Sequence, residues 1–276
     1  MNDTPATIKH FLDAALGTER LDAEVLLSHV LDRPRSYLHA WPERPLTPGE
    51  QSRFMSLIRR RRAGEPIAYI TGRQEFWSLT FDVNRATLIP RPETELLVET
   101  ALQLADPIGS YGLRLADLGT GSGCIALALA HERPRWQITA VDVSDDALQM
   151  AQRNARRLGI DNVEFLWNDW LSGFSANTFD IIVSNPPYIR AGDPHLHDIR
   201  HEPQTALVAG PDGLDALRRI IAEAKTCLKP NGLLLLEIGH DQSEAVNNLI
   251  QAAGYTGIQF KRDLAGIPRV CAGWAR

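Results

Sequence analysis

The chain has 276 residues, 44% hydrophobic and 23% charged, with three cysteines and a net charge of −5; that length and balance fit a globular protein with one large domain and a small one, and exclude a disordered chain. No apolar run approaches the ~20 residues of a membrane helix, and Met1-Asn-Asp-Thr-Pro-Ala6 lacks the basic-then-apolar layout of a secretory signal. A pI of about 5.9 argues against whole-molecule attraction to nucleic-acid phosphates, although a local basic patch stays compatible with it.

Residues 1–63 read as a small helical domain. Ile8, Phe11, Leu12, Ala15 and Leu16 fall on one helical face, and Leu27, Val30 and Leu31 continue the pattern. Thr47-Pro48-Gly49-Glu50 is a capping box with proline at the first helical position, so a helix should start there. Its stripe is Phe54, Leu57 and Ile58. The run Arg59 to Arg62 complements the C-terminal dipole of that helix. A solvated helix end explains the run more simply than an RNA contact does.

Residues 64–90 change period and are expected to form a β-hairpin linker. Trp77, Leu79, Phe81 and Val83 alternate with Ser78, Thr80 and Asp82, which is strand spacing, and Ile67 to Thr71 is the expected partner strand. Pro92 suits a first helical turn, with Glu93 and Glu95 near its positive end, and Leu97, Ala101 and Leu104 form the stripe.

From residue 91 to 276 the order is strand, helix, strand, helix. Strands are expected at Leu113–Leu118, Gln137–Val141, Val163–Trp167, Phe179–Ser184, Leu233–Ile238, Tyr255–Phe260 and Arg269–Trp274. Helices are expected around Ile125–Ala130, after a Ser144 cap, and over Leu214–Leu228 and Gln242–Ala253. Such alternation implies an α/β fold with a parallel sheet covered on both faces.

Cys124, Cys227 and Cys271 have no metal-ligand spacing and read as small apolar core residues in a reducing compartment. The eight histidines give no HExxH. The loop with Asp193, His195, His197 and Asp198 is better read as solvated than as a metal site, so no metal is expected.

Gly119, Gly121 and Gly123 lie at a strand-to-helix turn, where the chain must bend sharply and approach a ligand closely. The third glycine comes one residue sooner than in the dinucleotide fingerprint. Asp117 would repel a pyrophosphate but suits a cationic amino-acid group. Thr120 and Ser122 complete the turn. Asp142, at the end of the next strand, can accept from both hydroxyls of a ribose; a helix cap ahead of Ser144 is the alternative, and the ribose role is favoured because the turn and the acid come in the expected order. Asp169 can accept from an adenine amino group and Trp170 can pack on the ring.

Asn185-Pro186-Pro187-Tyr188 follows the strand Phe179–Ser184. An amide nitrogen is a poor nucleophile because its lone pair is delocalised. Asn185 can accept from one N–H of a planar nitrogen through its side-chain oxygen, and the Pro186 carbonyl can accept from the other. Pro186 and Pro187 cannot donate and stiffen the backbone, and Tyr188 can lie flat on the amide or base. S-adenosylmethionine as methyl donor needs little help at its leaving group, so alignment is the protein's task. A proline-rich turn alone explains the prolines but not the flanking Asn and Tyr. Residues 189–212 form a long polar connection of the kind that serves as a lid, with Glu202-Pro203 as its anchor.

Gly64-Glu-Pro-Ile-Ala-Tyr-Ile-Thr-Gly72, Glu75-Phe-Trp77, Leu88-Ile-Pro-Arg-Pro-Glu-Thr-Glu95, Asp117-Leu-Gly-Thr-Gly-Ser-Gly123, Asn185-Pro-Pro-Tyr188 and Leu236-Glu-Ile-Gly239 together resemble the PrmC/HemK family across essentially the whole chain. The resemblance implies a class I, Rossmann-like S-adenosylmethionine-dependent methyltransferase domain with a mixed seven-stranded sheet over residues 91–276, and a substrate-recognition role for residues 1–63. It implies methylation of the side-chain N5 of the glutamine in the Gly-Gly-Gln loop of peptide chain release factors. Gly119 to Gly123, Asp142, Trp170 and Asn185 fall where the family contacts the cofactor, and Asn185 to Tyr188 match its glutamine-binding motif. His201 stands where the family is expected to carry an aromatic residue. A cytoplasmic monomer is expected, without direct DNA or membrane binding. The rival activities are glutamine methylation of a ribosomal protein, disfavoured by Arg91-Pro92-Glu93-Thr94-Glu95, and DNA adenine N6 methylation, disfavoured by the acidic charge and the lack of a basic target-reading domain. A cofactor-binding module without activity is disfavoured by the intact acceptor motif.

Overall fold

A computed structural model describes residues 6–15, 17–105 and 112–276, which divide into two compact units, Met1–Arg73 and Gln74–Arg276. Leu16 and Met1–Pro5, both used in the sequence reading, lie outside the described residues.

The first unit is helical: α1 (Ile8–Ala14), α2 (Arg20–Leu31), α3 (Arg35–Ala40), α4 (Pro48–Arg62) and α5 (Ile67–Thr71). Ile8, Leu12, Leu26, Leu27, Phe54 and Ile58 form its buried core. The expected capping box is present: Thr47 Oγ1 accepts from the Glu50 N–H and the Glu50 carboxylate accepts from the Thr47 N–H at 2.8 Å. Buried Glu24 on α2 accepts from Arg35 at 2.8 Å and from Arg20 at 3.0 Å, and the Arg35 bond leads in holding its carboxyl below the usual range. Two arginines of the run are paired with carboxylates. Arg60 makes a forked bond to Glu65 at 2.7 and 2.8 Å, and Arg61 bonds Asp22 at 2.6 Å.

The hairpin differs from expectation. Ile67–Thr71 is not its partner strand but α5, capped by Gly72 in the left-handed conformation. The strands are β1 (Arg73–Phe76) and β2 (Leu79–Asp82). Trp77 and Ser78, assigned to a strand by the alternation, are instead the two-residue turn, with φ of 53° and 56°. A tight hairpin needs positive φ at both central residues to match the strand twist. The side-chain alternation carries no trace of that backbone demand.

In the second unit α6 (Glu95–Ala105), preceded by a single 3₁₀ turn at Pro92–Thr94, leads into a seven-stranded sheet. Its strands are β3 (Arg114–Leu118), β4 (Gln137–Asp142), β5 (Val163–Trp167), β6 (Phe179–Ser184), β7 (Leu228–Glu237), β8 (Thr256–Arg262) and β9 (Pro268–Trp274). The helices are α7 (Cys124–Glu132), α8 (Asp145–Leu158), α9 (Asp215–Cys227) and α10 (Ser243–Ala252). The spatial order is β5-β4-β3-β6-β7-β9-β8. Strands β5 to β7 pair in parallel, whereas β9 runs antiparallel between β7 and β8. The sheet is therefore mixed; strand–helix alternation alone had implied parallel pairing throughout. Leu233 to Leu236 are fully buried, as a central strand covered on both faces requires. The chain runs from β3 outward to β5 and then returns to the other side of β3 with β6. The switch point between β3 and β6 opens a crevice at the carboxyl ends of the strands, where such sheets take ligands.

Candidate active site

The glycine turn is pinned to the end of β4. The Val141 carbonyl accepts from both Gly119 and Thr120 N–H at 2.8 and 2.9 Å. Gly121 donates its N–H to Asp142 Oδ2 at 2.9 Å, and Ser144 donates its own to Asp142 Oδ1 at the same distance. Asp142 thus holds the turn and the start of α8 together. Burial pushes its carboxyl above the usual range against those backbone bonds. Gly123 has φ of 83°, and a Cβ there would stand 3.0 Å from the Ala151 Cβ. At Gly119, φ is 71° and a Cβ would stand 3.4 Å from the Trp170 ring, so the indole lies directly over the turn.

Asp117 sits fully buried beneath it. One of its oxygens accepts from the Thr120 hydroxyl at 2.7 Å and from the Ala126 N–H at 3.2 Å; the other has no partner. Burial raises its carboxyl to about 7. Asp169 pairs with Arg219 at 2.9 Å, so any adenine contact shares that carboxylate with a guanidinium.

At the end of β6, Asn185 Nδ2 donates to Thr94 Oγ1 at 3.1 Å. That bond turns Oδ1 the other way, free to accept. The Tyr188 hydroxyl donates to the buried Glu237 of β7 at 3.2 Å. Desolvation, with Glu237 second, pushes the phenol above its ordinary value.

One cavity joins the two halves. Gly119, Thr120, Gly121, Ser122, Asp142, Asp169, Trp170, Asn185 and Pro187 all line it. Asp117, Gly123, Pro186 and Tyr188 stand outside the lining. Among the described residues no group of three or more His, Cys, Asp and Glu could hold a metal. Asp193 and His195 instead bond each other at 3.0 Å in an exposed turn.

Other lining residues carry no site role in the sequence motifs: Ala86, Thr87, Leu88, Pro90, Arg91 and Thr94 from one segment, and Thr205 and Ala206 from the 189–212 connection, whose expected anchor residue Pro203 lines the cavity as well. Glu202 ties these two segments together. It accepts from the Ile89 N–H at 3.0 Å and pairs with Arg91. Gln242 draws the two ends of the connection together, donating to the carbonyls of Tyr188 and Gly213 at 3.0 and 3.1 Å. The connection is thus bonded down at several points. The available signal was the rigid Pro90-Arg91-Pro92 step facing an acidic Glu202-Pro203.

Residues 92–253 match the methyltransferase small domain and residues 6–72 the PrmC N-terminal domain. A methyltransferase from Pyrococcus furiosus shares the fold, with a TM-score of 0.53 at 18% identity over 81% of this chain and 98% of its own. The second unit is thus a class I methyltransferase fold, with a crevice at the usual ligand-binding edge. A release factor glutamine methyltransferase of Pseudomonas aeruginosa is 51% identical over 259 residues, 93% of each chain. One of Shewanella oneidensis is 47% identical over 264 residues, 95% of this chain and 91% of its own. The chain belongs to the release factor glutamine methyltransferase family.

Proposed function

We propose that this protein methylates the side-chain N5 of the glutamine in the Gly-Gly-Gln loop of peptide chain release factors, using S-adenosyl-L-methionine, in the cytoplasm. The observation that carries the reading is the single cavity shared by the glycine turn and Asn185, in a chain of this family. The residues fit the cofactor. The turn is bare enough for close approach, since a Cβ at Gly121 would meet nothing within 4 Å. Asp142 retains lone pairs for ribose hydroxyls, and Trp170 offers an indole face beside the turn. When bound, the cofactor supplies a sulfonium-activated methyl group.

The chain's own contribution is alignment. Asn185 Oδ1 and the Pro186 carbonyl each accept one N–H of the acceptor amide, which draws the nitrogen lone pair out of conjugation and aims it. The stiff Pro186-Pro187 backbone holds that carbonyl in place. Orientation can supply roughly 7–11 kcal/mol of the barrier without a general base in the transfer itself; the proton that the amide nitrogen sheds on gaining the methyl leaves to water. The test is mass spectrometry after incubation with labelled cofactor and purified release factors, ribosomal proteins or DNA. One added methyl on the release factor glutamine is the expected result; label on ribosomal protein or DNA alone overturns the substrate assignment.

We assign recognition of the folded substrate to the helical unit. Leu21 and Trp41 support this, because both are large apolar side chains left more than half exposed, at 51% and 60%. Leu21→Ala with Trp41→Ala should raise KM for an intact release factor several-fold yet leave KM for a short glutamine peptide unchanged. Equal effects on both substrates would count against the assignment.

A further inference from the structure

The methionine end of the cofactor carries a carboxylate as well as an ammonium, so its site needs a cation. Asp142 and Asp169 line the cavity and add negative charge. Among the described residues Arg91 is the only basic side chain that lines it. Its backbone is stiffened by Pro90 and Pro92 on either side. Its side chain is held by Glu202, whose own side chain is only 2% exposed. One Glu202 oxygen pairs with Arg91 Nη2, and the other accepts from the Ile89 N–H at 3.0 Å. A guanidinium carries five N–H donors in a planar fork. The Nη2 bond therefore leaves donors for a second anion, and the Arg91 side chain is 35% exposed.

The order of groups along the sheet edge points to which anion that is. Asp169 and Trp170 follow β5, Asp142 ends β4, the glycine turn follows β3 and Asn185 follows β6. These four strands are neighbours in that order. A nucleoside on the β5–β4 side leaves the β3–β6 side to the methionine. Arg91 belongs to the segment on that side, since Thr94 of the same segment accepts from Asn185 Nδ2 at 3.1 Å. The acceptor amide is the rival partner. A cation on its carbonyl oxygen would draw the nitrogen lone pair further into the carbonyl, against the reaction. We propose that Arg91, braced by the buried Glu202, binds the α-carboxylate of the cofactor's methionine. This rests on the S-adenosylmethionine reading above.

The test is titration calorimetry with S-adenosylmethionine and its decarboxylated analogue, which keeps the nucleoside, the sulfonium and the amine. The wild-type protein should prefer the complete cofactor about ten- to a hundredfold, the span of one charge-assisted bond. Arg91→Met alone would strand Glu202 as an unpaired buried carboxyl, so it is combined with Glu202→Gln, and a melting curve checks that the double variant folds. That variant should bind the two ligands alike, with the loss confined to the complete cofactor. Arg91→Lys keeps a charge beside Glu202 but not the fork, and should narrow the preference severalfold. An Arg91–Glu202 pair with a merely structural role would weaken both ligands by the same factor and keep the preference. Equal affinities in the wild type, a preference that survives in the folded double variant, or one unaltered in Arg91→Lys would overturn the inference. Wild-type protein that binds neither ligand, nor S-adenosylhomocysteine, would instead overturn the cofactor reading beneath it.

Discussion

Asn185→Ala removes the Thr94 bond and the outward-facing acceptor oxygen in one step. Because alignment is the main service rendered to the acceptor, kcat should drop by roughly a hundredfold or more. The cofactor has its other contacts along the glycine turn, so its affinity should change far less. Single-turnover kinetics beside calorimetry separates the two effects, and undiminished kcat would remove the alignment mechanism. Asp142→Ala should act in the opposite way. It deletes a charged acceptor placed for a ribose and releases the N–H groups of Gly121 and Ser144. Hydrogen bonds to a charged group are worth ~1.5–3 kcal/mol, so S-adenosylmethionine affinity should weaken by about ten- to a hundredfold. An unchanged dissociation constant refutes the ribose role.

Among the elements, β2, the glycine turn and α8 meet at one side chain. Asn154 of α8 is fully buried. Its Nδ2 donates to the carbonyls of Asp82 and Ser122 at 3.0 and 2.9 Å, and its Oδ1 accepts from the Asp82 N–H at 2.8 Å. Asn154→Ala strands three buried backbone groups. It should cost on the order of 2–4 kcal/mol in urea unfolding; a loss below about 0.5 kcal/mol, the range of an ordinary surface change, would show that water replaces the amide. Nothing in the sequence marked Asn154, because its partners lie 72 and 32 residues away and a polar residue in an amphipathic helix looks like surface. The same limit hid the bond between Tyr188 and Glu237, which only the pairing of β6 with β7 brings together. Local signals show in the folded chain. The Ser144 and Thr47 caps are both present, and the strands of the large sheet sit within a few residues of their hydrophobic runs. The Gly119–Gly123 turn and Asn185 stood out because each packs its demands into a few consecutive residues. Ile67–Thr71 misled because a short β-branched run suits a strand as well as a single helical turn.

Taken as a whole, the second unit stores two carboxyls in its apolar floor, Asp117 at the end of β3 and Glu237 at the end of β7. Desolvation raises both to about 7, outweighing the Thr120 and Ala126 bonds at Asp117 and the Thr94 and Tyr188 hydroxyls at Glu237. In the unfolded chain these groups lose their protons near 3.8 and 4.5. Between those values and about 7 the folded protein therefore binds more protons than the unfolded one. Stability carried by these two groups is then full below the unfolded values, declines as pH rises, and levels off once the folded carboxyls have ionised. Glu24, whose carboxyl is held low by Arg35, works in the opposite sense at the acid end, so the bare profile mixes signs. Glu237→Gln isolates one contribution. Unfolding free energy should fall between about pH 5 and about pH 8 by roughly 2–3 kcal/mol less in that variant than in the wild type, at about 1.4 kcal/mol for each unit of pKa difference. Urea titrations at the two pH values decide it: parallel profiles would mean that Glu237 ionises in the folded protein as readily as in the unfolded chain.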